Sequence, residues 1–366
     1  MSSVLITGAS GYLGRRLARW YLQNTGHRLF LWVHALGADD LREKSRSLQT
    51  ELAPWSERIA CTGGDLAEDA PFAGVTPASV NTIVHGAAVT RFNVDEDTAR
   101  RVNVEGTVKL LQFAQRCPRL KALGLLSTVY ASGLQQGRIV EAPCSGDAGF
   151  ANHYEQSKWA AEQELLAGFP DLPWHVFRLA TVIADGPDGR VTQFNAFHHT
   201  LRLVYYGLLS LIPGNAETPV YLVTGEFITE AAGALLESAS PRSIYHLAPP
   251  RDHAVTLGQL LDLAYTGFLE HPDFRARRLL KPLLCDAESF ALLAEGAAGL
   301  QMSVVGQALG SLTPFARQLF VTKDVVNDNL VAAWPGYRLP DLRQVNQRAC
   351  AFLALSKWGK EPVAWI

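Results

Sequence analysis

Short apolar runs alternate with stretches of helical periodicity over the first half of the chain. The runs predict strands at residues 4–7, 28–33, 58–62, 82–85, 122–127 and 175–179. Apolar positions at helical spacing predict helices at residues 12–24, 98–116 and 154–168. Runs that are apolar throughout, such as VLIT and TIVH, are typical of parallel strands buried on both faces. The pattern therefore predicts an α/β fold with a doubly wound parallel sheet.

After residue 180 the alternation weakens, and glycine and proline mark loops. A strand at 220–223, a helix at 225–237 and a strand at 243–247 are expected to return and complete the sheet. This predicts a sheet domain of residues 1–182 plus about 216–248, and a smaller, mainly helical substrate lobe of about 183–215 plus 249–366. The apolar stretch 201–213 is too short to span a bilayer, so we expect no membrane span and interpret it as a possible lining of an apolar pocket.

The composition limits the kinds of molecule that we expect the protein to bind. The 33 Lys and Arg nearly balance the 35 Asp and Glu, and no long basic run suggests a nucleic-acid partner. The five cysteines form no C-x-x-C pair, so we interpret them as free thiols. A strand begins almost at once and leaves no room for a secretory signal, which predicts a cytoplasmic location.

The first chemical motif is TGASGYLG, where Gly8, Gly11 and Gly14 join a strand to a helix. Such glycines allow a tight turn, close approach of backbone to a pyrophosphate, and close packing of helix on strand. In this context a Rossmann-type nucleotide site is favoured over an incidental glycine turn. The predicted cofactor-binding residues are Thr7, Gly8, Gly11, Tyr12, Leu13, Gly14, His34, Arg42, Asp65, Leu66, Ala87, Ala88, Tyr154, Lys158 and Leu179.

The end of the second strand bears on the choice of cofactor. An acidic residue there would bind the ribose hydroxyls of NAD, whereas a basic one would favour the extra phosphate of NADP. The chain has His34, with Arg42 a turn or so further on, so NADP(H) is expected in preference to NAD(H). Asp65 follows the third strand and is either a ligand of the adenine amino group or a helix N-cap. No spacing of His198, His199 and His271 suggests a metal site.

The second chemical motif is Y-x-x-x-K, formed by Tyr154 and Lys158 on a predicted helix. Four residues are about one turn, so the two side chains share a face and the ammonium is expected to lower the phenol pKa. The phenol would then exchange a proton with the substrate oxygen. Thr128 or Ser127 would polarise the substrate carbonyl, and strand alternation allows only one to face the site. Asn103 would order a water relay beneath the lysine, or else bond the backbone.

The motifs TGASGYLG, VHGAAVTRFN, NVEGT, STVYASG and YEQSKWAAE resemble the extended short-chain dehydrogenase/reductases, and most closely their thioester reductase and fatty acyl-CoA reductase branch. The resemblance covers roughly residues 3–185. It implies NADPH-dependent reduction of an acyl thioester, on coenzyme A or on a carrier protein supplied by another chain, to an aldehyde or alcohol. It also implies that Thr128, Tyr154 and Lys158 are catalytic. The chain departs from the branch at His34, where an arginine is usual, and at 223–226, where VTGE replaces a Pro-Val-Asp-like segment.

Other functions share these catalytic residues. A carbonyl reductase or alcohol dehydrogenase, of the 3β-hydroxysteroid dehydrogenase kind, would act on a free ketone or aldehyde. A nucleotide-sugar epimerase would show no net turnover of cofactor, and the apolar stretch 194–212 argues against a diphosphate sugar. A non-catalytic nucleotide sensor on the same fold is a further alternative.

Overall fold

The computed structural model describes residues 2–298, 310 and 312–363. Its strands are β1 (Ser3–Thr7), β2 (Arg28–His34), β3 (Ile59–Gly64), β4 (Thr82–His85), β5 (Ala122–Thr128), β6 (Gly137–Ile139), β7 (Trp174–Leu179), β8 (Thr181–Ala184), β9 (Leu211–Pro213), β10 (Pro219–Val220), β11 (Leu222–Thr224), β12 (Ser243–Leu247), β13 (Val255–Thr256), β14 (Leu283–Cys285) and β15 (Lys323–Val325). Seven of them form a parallel sheet in the order β12-β7-β5-β4-β1-β2-β3. The predicted doubly wound parallel sheet is confirmed.

Helices cover both faces of the sheet and build the C-terminal part. The α-helices are α1 (Tyr12–Asn24), α2 (Ala38–Glu51), α3 (Glu96–Ala99), α4 (Gly106–Gln115), α5 (His153–Gln163), α6 (Ala196–Tyr205), α7 (Gly225–Ser238), α8 (Leu257–Leu269), α9 (Pro272–Arg277), α10 (Ala287–Ala298), α11 (Asp328–Ala333) and α12 (Leu342–Leu355), and residues 312–316 are also helical. The 3₁₀ segments are Ala53–Arg58, Pro77–Ser79, Val129–Ser132 and Arg317–Phe320, and the π segments are Arg100–Glu105 and Glu164–Gly168. The predicted helix 98–116 is thus α3, a π segment and α4 in succession.

The strand order reverses at β1. From there the chain builds outward to β2 and β3 on one side, and later to β4, β5, β7 and β12 on the other. The carboxyl ends of β1 and β4 therefore flank a crevice, which is where open α/β sheets bind ligands.

One predicted strand lies elsewhere. Residues 220–223 were expected in the main sheet, but β10 pairs antiparallel with β13, and β11 pairs parallel with β8. The prediction is wrong because the chain leaves the sheet after Leu179: Ala180 donates to Leu247 O, and Thr181 donates to Tyr221 O. β8 and β11 thus form a separate ladder beyond the end of β7.

In the part of the chain that the structure describes, the buried apolar side chains form three clusters. Two include sheet residues, among them Val4 and Leu5, and the third is formed by residues after 182, such as Leu201 and Leu260. The predicted division into two parts stays a prediction, and some packing crosses it. Leu222 belongs to the third cluster, whereas Leu330, from the predicted substrate lobe, packs in the first cluster with Val4.

Candidate active site

The glycine-rich turn is fixed by packing at two of its three glycines. Gly8 has φ +70°, and a Cβ there would lie 2.8 Å from Ala87 N. A Cβ on Gly14 would lie 2.2 Å from Gly8 O, so α1 approaches β1 as closely as glycine permits. A Cβ on Gly11 would meet only Gly8 O, at 3.2 Å. The turn thus leaves open space at Gly11, the N-cap of α1, where a phosphate is favoured by the free N–H groups and the helix dipole.

Thr7 lies beneath this turn. Its hydroxyl accepts from Ala87 N (3.2 Å) and lies 2.7 Å from His85 Nδ1, and His85 Nε2 lies 3.1 Å from Thr107 Oγ1. Because Thr107 donates its own hydrogen to Asn103 O, His85 Nε2 is the donor to Thr107 and Thr7 donates to Nδ1. Burial lowers the pKa of His85 to about 3, which keeps this tautomer neutral. The Thr7 hydroxyl therefore supports the turn.

A cavity of about 540 Å³ occupies the crevice between β1 and β4, a volume typical of ligand sites. It brings together most of the predicted cofactor-binding residues: Gly8, Gly11, Tyr12, Leu13, Gly14, His34, Asp65, Leu66, Ala87, Ala88, Tyr154, Lys158 and Leu179. Thr7, Arg42 and Asn103 are not among its lining residues. The open glycine turn, the helix N-terminus and this volume together fit a dinucleotide.

At the β2 end of the cavity, His34 Nε2 lies 3.9 Å from Asp65 Oδ2. Asp65 Oδ1 accepts from Ala67 N at 2.9 Å, so its carboxylate stabilises a turn rather than capping a helix, and it still lines the cavity. Arg42 is 71% exposed at its side chain and pairs with Asp39. Its predicted contact with the cofactor stays a prediction, and the structure does not favour it.

Tyr154 and Lys158 lie on one face of α5, which begins where the Asn152 side chain accepts from Glu155 N. Burial lowers the pKa of Lys158 to about 8, against an opposing effect of Glu162. Burial raises the pKa of Tyr154 well above its ordinary value, and Glu155 adds to the shift. The causes of this rise are burial and the neighbouring Glu155 and Tyr130, and the lowering of the phenol pKa expected from Lys158 stays a prediction.

Ser127 and Thr128 end β5 with different roles. The buried Ser127 hydroxyl donates to Glu162, whose Oε2 lies 2.7 Å from Arg178 NH2 in an ion pair with 0% exposure on both sides. Within the described residues, the Thr128 hydroxyl makes two long hydrogen bonds, donating to Leu179 O at 3.4 Å and accepting from Tyr130 N at 3.3 Å. Because the Ser127 hydroxyl already donates its hydrogen to Glu162, the structure favours Thr128 as the donor to a substrate, and that role stays a prediction.

Asn103 lies in the π segment and joins two parts of the site. Its Nδ2 donates to Val89 O and to Ser157 Oγ, both at 2.9 Å, and its Oδ1 accepts from Val89 N at 2.8 Å. Both amide hydrogens are thus used in tying the loop after β4 to α5. The structure favours the backbone-bonding role, and the water relay stays a prediction.

A second cavity of about 290 Å³ adjoins the first at Tyr154 and is lined by Thr128 as well. Its wall is mainly apolar and comes from α6, β9, α8 and the segment before β15: Leu201, Val204, Ile212, Leu257, Leu260, Leu261, Leu312, Phe315 and Leu319. The expectation that the stretch 201–213 lines an apolar pocket is confirmed. Phe92 stands between Phe315 (5.6 Å between ring centroids) and Tyr154 (5.7 Å).

Several lining residues were missed by sequence reasoning. Phe92 and Phe315 are far apart in the chain, and neither belongs to a local motif. Asp185 follows β8, and its Oδ1 lies 2.8 Å from Tyr12 OH, 2.9 Å from Arg16 NH2 and 2.9 Å from Thr192 Oγ1. This carboxylate ties the loop after β8 to the first turn of α1, beside the larger cavity.

Two of the three histidines singled out in the sequence, His198 and His271, have structural partners. No group of three or more His, Cys, Asp or Glu in the described part of the chain is arranged to hold a metal ion. His198 is buried and completes the capping box of α6 with Asn195, and His271 caps α9. None of the helices described is both long and apolar enough to cross a membrane.

The parallel sheet, the glycine turn at its switch point and the Tyr154–Lys158 helix define an NAD(P)-dependent oxidoreductase of the extended short-chain dehydrogenase/reductase type. The chain belongs to the Male sterility protein family, whose model matches residues 6–232.

The chain is also similar to individual proteins. The chain is 30% identical over 212 residues to isonitrile lipopeptide synthase of Streptomyces coeruleorubidus, covering 54% of this chain but only 14% of that much longer protein. It is 26% identical over 348 residues to fatty acyl-CoA reductase 1 of Arabidopsis thaliana, covering 74% of this chain and 71% of that protein. The terminal R domain of the myxalamid PKS-NRPS pathway has the same fold, with a TM-score of 0.77, 22% identity and coverage of 99% of this chain and 93% of that chain.

Proposed function

We propose that this protein reduces an acyl thioester to an aldehyde or alcohol, with NADP(H) in preference to NAD(H). The observation that carries the proposal is the apolar cavity of about 290 Å³ that opens beside Tyr154 and Thr128. An acyl chain buried there would bring its thioester carbonyl to these two hydroxyl groups. The names of the relatives, a fatty acyl-CoA reductase and an R domain of a PKS-NRPS pathway, support the same class of substrate.

The proposed roles follow from the positions of the side chains. A bound nicotinamide supplies the hydride. Thr128 and Tyr154 donate hydrogen bonds to the thioester oxygen, and Tyr154 passes its phenolic proton to that oxygen as negative charge develops. Lys158 binds the nicotinamide ribose and favours the loss of the Tyr154 proton. Collapse of the resulting hemithioacetal then releases the aldehyde and a free thiol.

The experiment measures oxidation of NADPH and release of free thiol with acyl-CoA thioesters, with free aldehydes and ketones assayed in parallel. Tyr154→Phe is expected to lower thioester reduction by a factor of about 100 to 10,000, the usual contribution of a general acid. Tyr206→Phe is the matched control, because Tyr206 is 41% exposed and lines neither cavity.

The outcomes separate the alternatives. Tyr154-dependent thiol release supports the proposal. Turnover of free aldehydes or ketones alone would contradict it and identify a carbonyl reductase. Thioesters on a carrier protein form a separate arm, because the proposed carrier would come from another chain.

A further inference from the structure

Two residues of the larger cavity mark where an adenosine ribose would lie. Ser10 follows β1, and His34 ends the neighbouring β2, whose Trp32 is in register with Thr7. In dinucleotide folds the end of the second strand contacts the adenosine ribose, and a basic group near it favours the 2′-phosphate of NADP. His34 is a weak candidate for that group, since its imidazole is 57% exposed and faces Asp65 at 3.9 Å.

An arginine on α1 approaches the expected position of the adenosine ribose. Arg15 Nε donates to Ser10 O at 2.9 Å, and its side chain is 30% exposed. A solvent-facing cavity of about 510 Å³ shares Ser10 with the cofactor cavity and is lined by Arg15 and Arg19. Positive charge on Arg15 is therefore within reach of a ligand that extends past Ser10.

The charges around Ser10 do not cancel. Arg15 and Arg19 both pair with Glu51, the latter at 3.5 Å, so two cations share one carboxylate. On the β2 side, each cation has its own carboxylate: Lys44 pairs with Asp40 at 2.8 Å, and Arg42 pairs with Asp39. Arg16, which also lines the solvent-facing cavity, pairs with Asp185 at 2.9 Å, so one positive charge is in surplus beside Ser10.

From this geometry we propose that Arg15 binds the 2′-phosphate of NADP(H) and sets the preference for that cofactor. Arg15 takes over the role that a basic residue at position 34 would have, and Arg42 does not share it. The inference rests on the proposed preference for NADP(H), and it is independent of the proposed thioester substrate.

The test measures dissociation constants of 2′,5′-ADP and 5′-AMP by calorimetry, with no acyl substrate and no turnover. The unaltered protein is expected to bind 2′,5′-ADP more tightly. Arg15→Met should weaken 2′,5′-ADP by about ten- to a hundredfold, the range for a charged hydrogen bond, and leave 5′-AMP unchanged. Arg15→Lys should restore part of the loss, and Arg42→Met is the matched control.

Three results would overturn the inference. They are equal binding of the two nucleotides by the unaltered protein, equal weakening of both by Arg15→Met, and a selective loss in Arg42→Met. Failure of the thioester assay would leave these constants unaffected, so the two proposals fail separately.

Discussion

Gly11 and Gly14 face different neighbours, and alanine at each should affect a different property. In Gly14→Ala the new Cβ would lie 2.2 Å from Gly8 O and 2.8 Å from Ala9 Cα. Both are backbone atoms, so relief requires α1 to move away from β1. In Gly11→Ala the only close atom is Gly8 O at 3.2 Å, and the φ of −78° is one that alanine adopts readily.

The magnitudes follow from these contacts. Overpacking costs about 1–3 kcal/mol, and a clash with fixed backbone belongs at the upper end. Replacing glycine within a helix returns about 1 kcal/mol, so Gly14→Ala should lose about 2 kcal/mol of unfolding free energy. Gly11→Ala should lose less than about 1 kcal/mol. Its methyl group, however, would occupy the open space at the helix N-terminus and should weaken nucleotide binding by about tenfold or more.

Urea unfolding followed by tryptophan fluorescence measures the free energy of unfolding of each variant, and titration with NADPH measures how tightly each variant binds the nucleotide. Each variant serves as the control for the other. If Gly14→Ala is as stable as the unaltered protein, α1 does not pack on β1 as closely as these distances indicate. If Gly11→Ala binds the nucleotide normally, the pyrophosphate does not lie at Gly11.

Two further predictions concern buried charges. Glu162→Gln removes the carboxylate that pairs with the buried Arg178, and it should lower the free energy of unfolding in urea by about 3–5 kcal/mol. Asp171→Asn, in an exposed pair with Arg242, should leave the unfolding free energy nearly unchanged. Similar losses in both variants would refute the argument. The lowered pKa of Lys158, about 8, predicts that thioester reduction is constant below that pH and falls above it as the ammonium loses its proton. Lys158→Arg, though less active, should lack this fall, and the same fall in that variant would refute the assignment to Lys158.

Much of the sheet was predictable because its strands are continuous apolar runs and its helices have amphipathic spacing. β4 and α1 have their predicted bounds, and β1 differs from its prediction by one residue. The strand at 220–223 was placed wrongly because its partners, β8 and β13, are set by where the chain leaves the sheet. That exit depends on tertiary hydrogen bonds at residues 180 and 181, which no local pattern records.

In the candidate site, too, local patterns predicted some residues, while others are brought in by the tertiary fold. Gly8, Gly11 and Gly14, like Tyr154 and Lys158, were predictable because each set lies within a few residues of one turn or helix. Residue type alone did not determine side-chain direction: Thr7 faces His85, and Asn103 bonds Val89 and Ser157. Asp185 and Phe315 reach the cavities only through folding, so no local pattern pointed to either of them.

Burial, and not only the spacing of the Y-x-x-x-K motif, affects the pKa values of Tyr154 and Lys158. Spacing places Lys158 on the same helix face, but burial raises the phenol pKa and lowers the lysine pKa to about 8. Below that pH the phenol holds its proton and the amine is a cation, which is the state that donates a proton to a developing oxyanion. Oxidation of an alcohol would need the phenolate, which burial disfavours. The protonated phenol is therefore the form that can donate a proton in the proposed reduction near neutral pH.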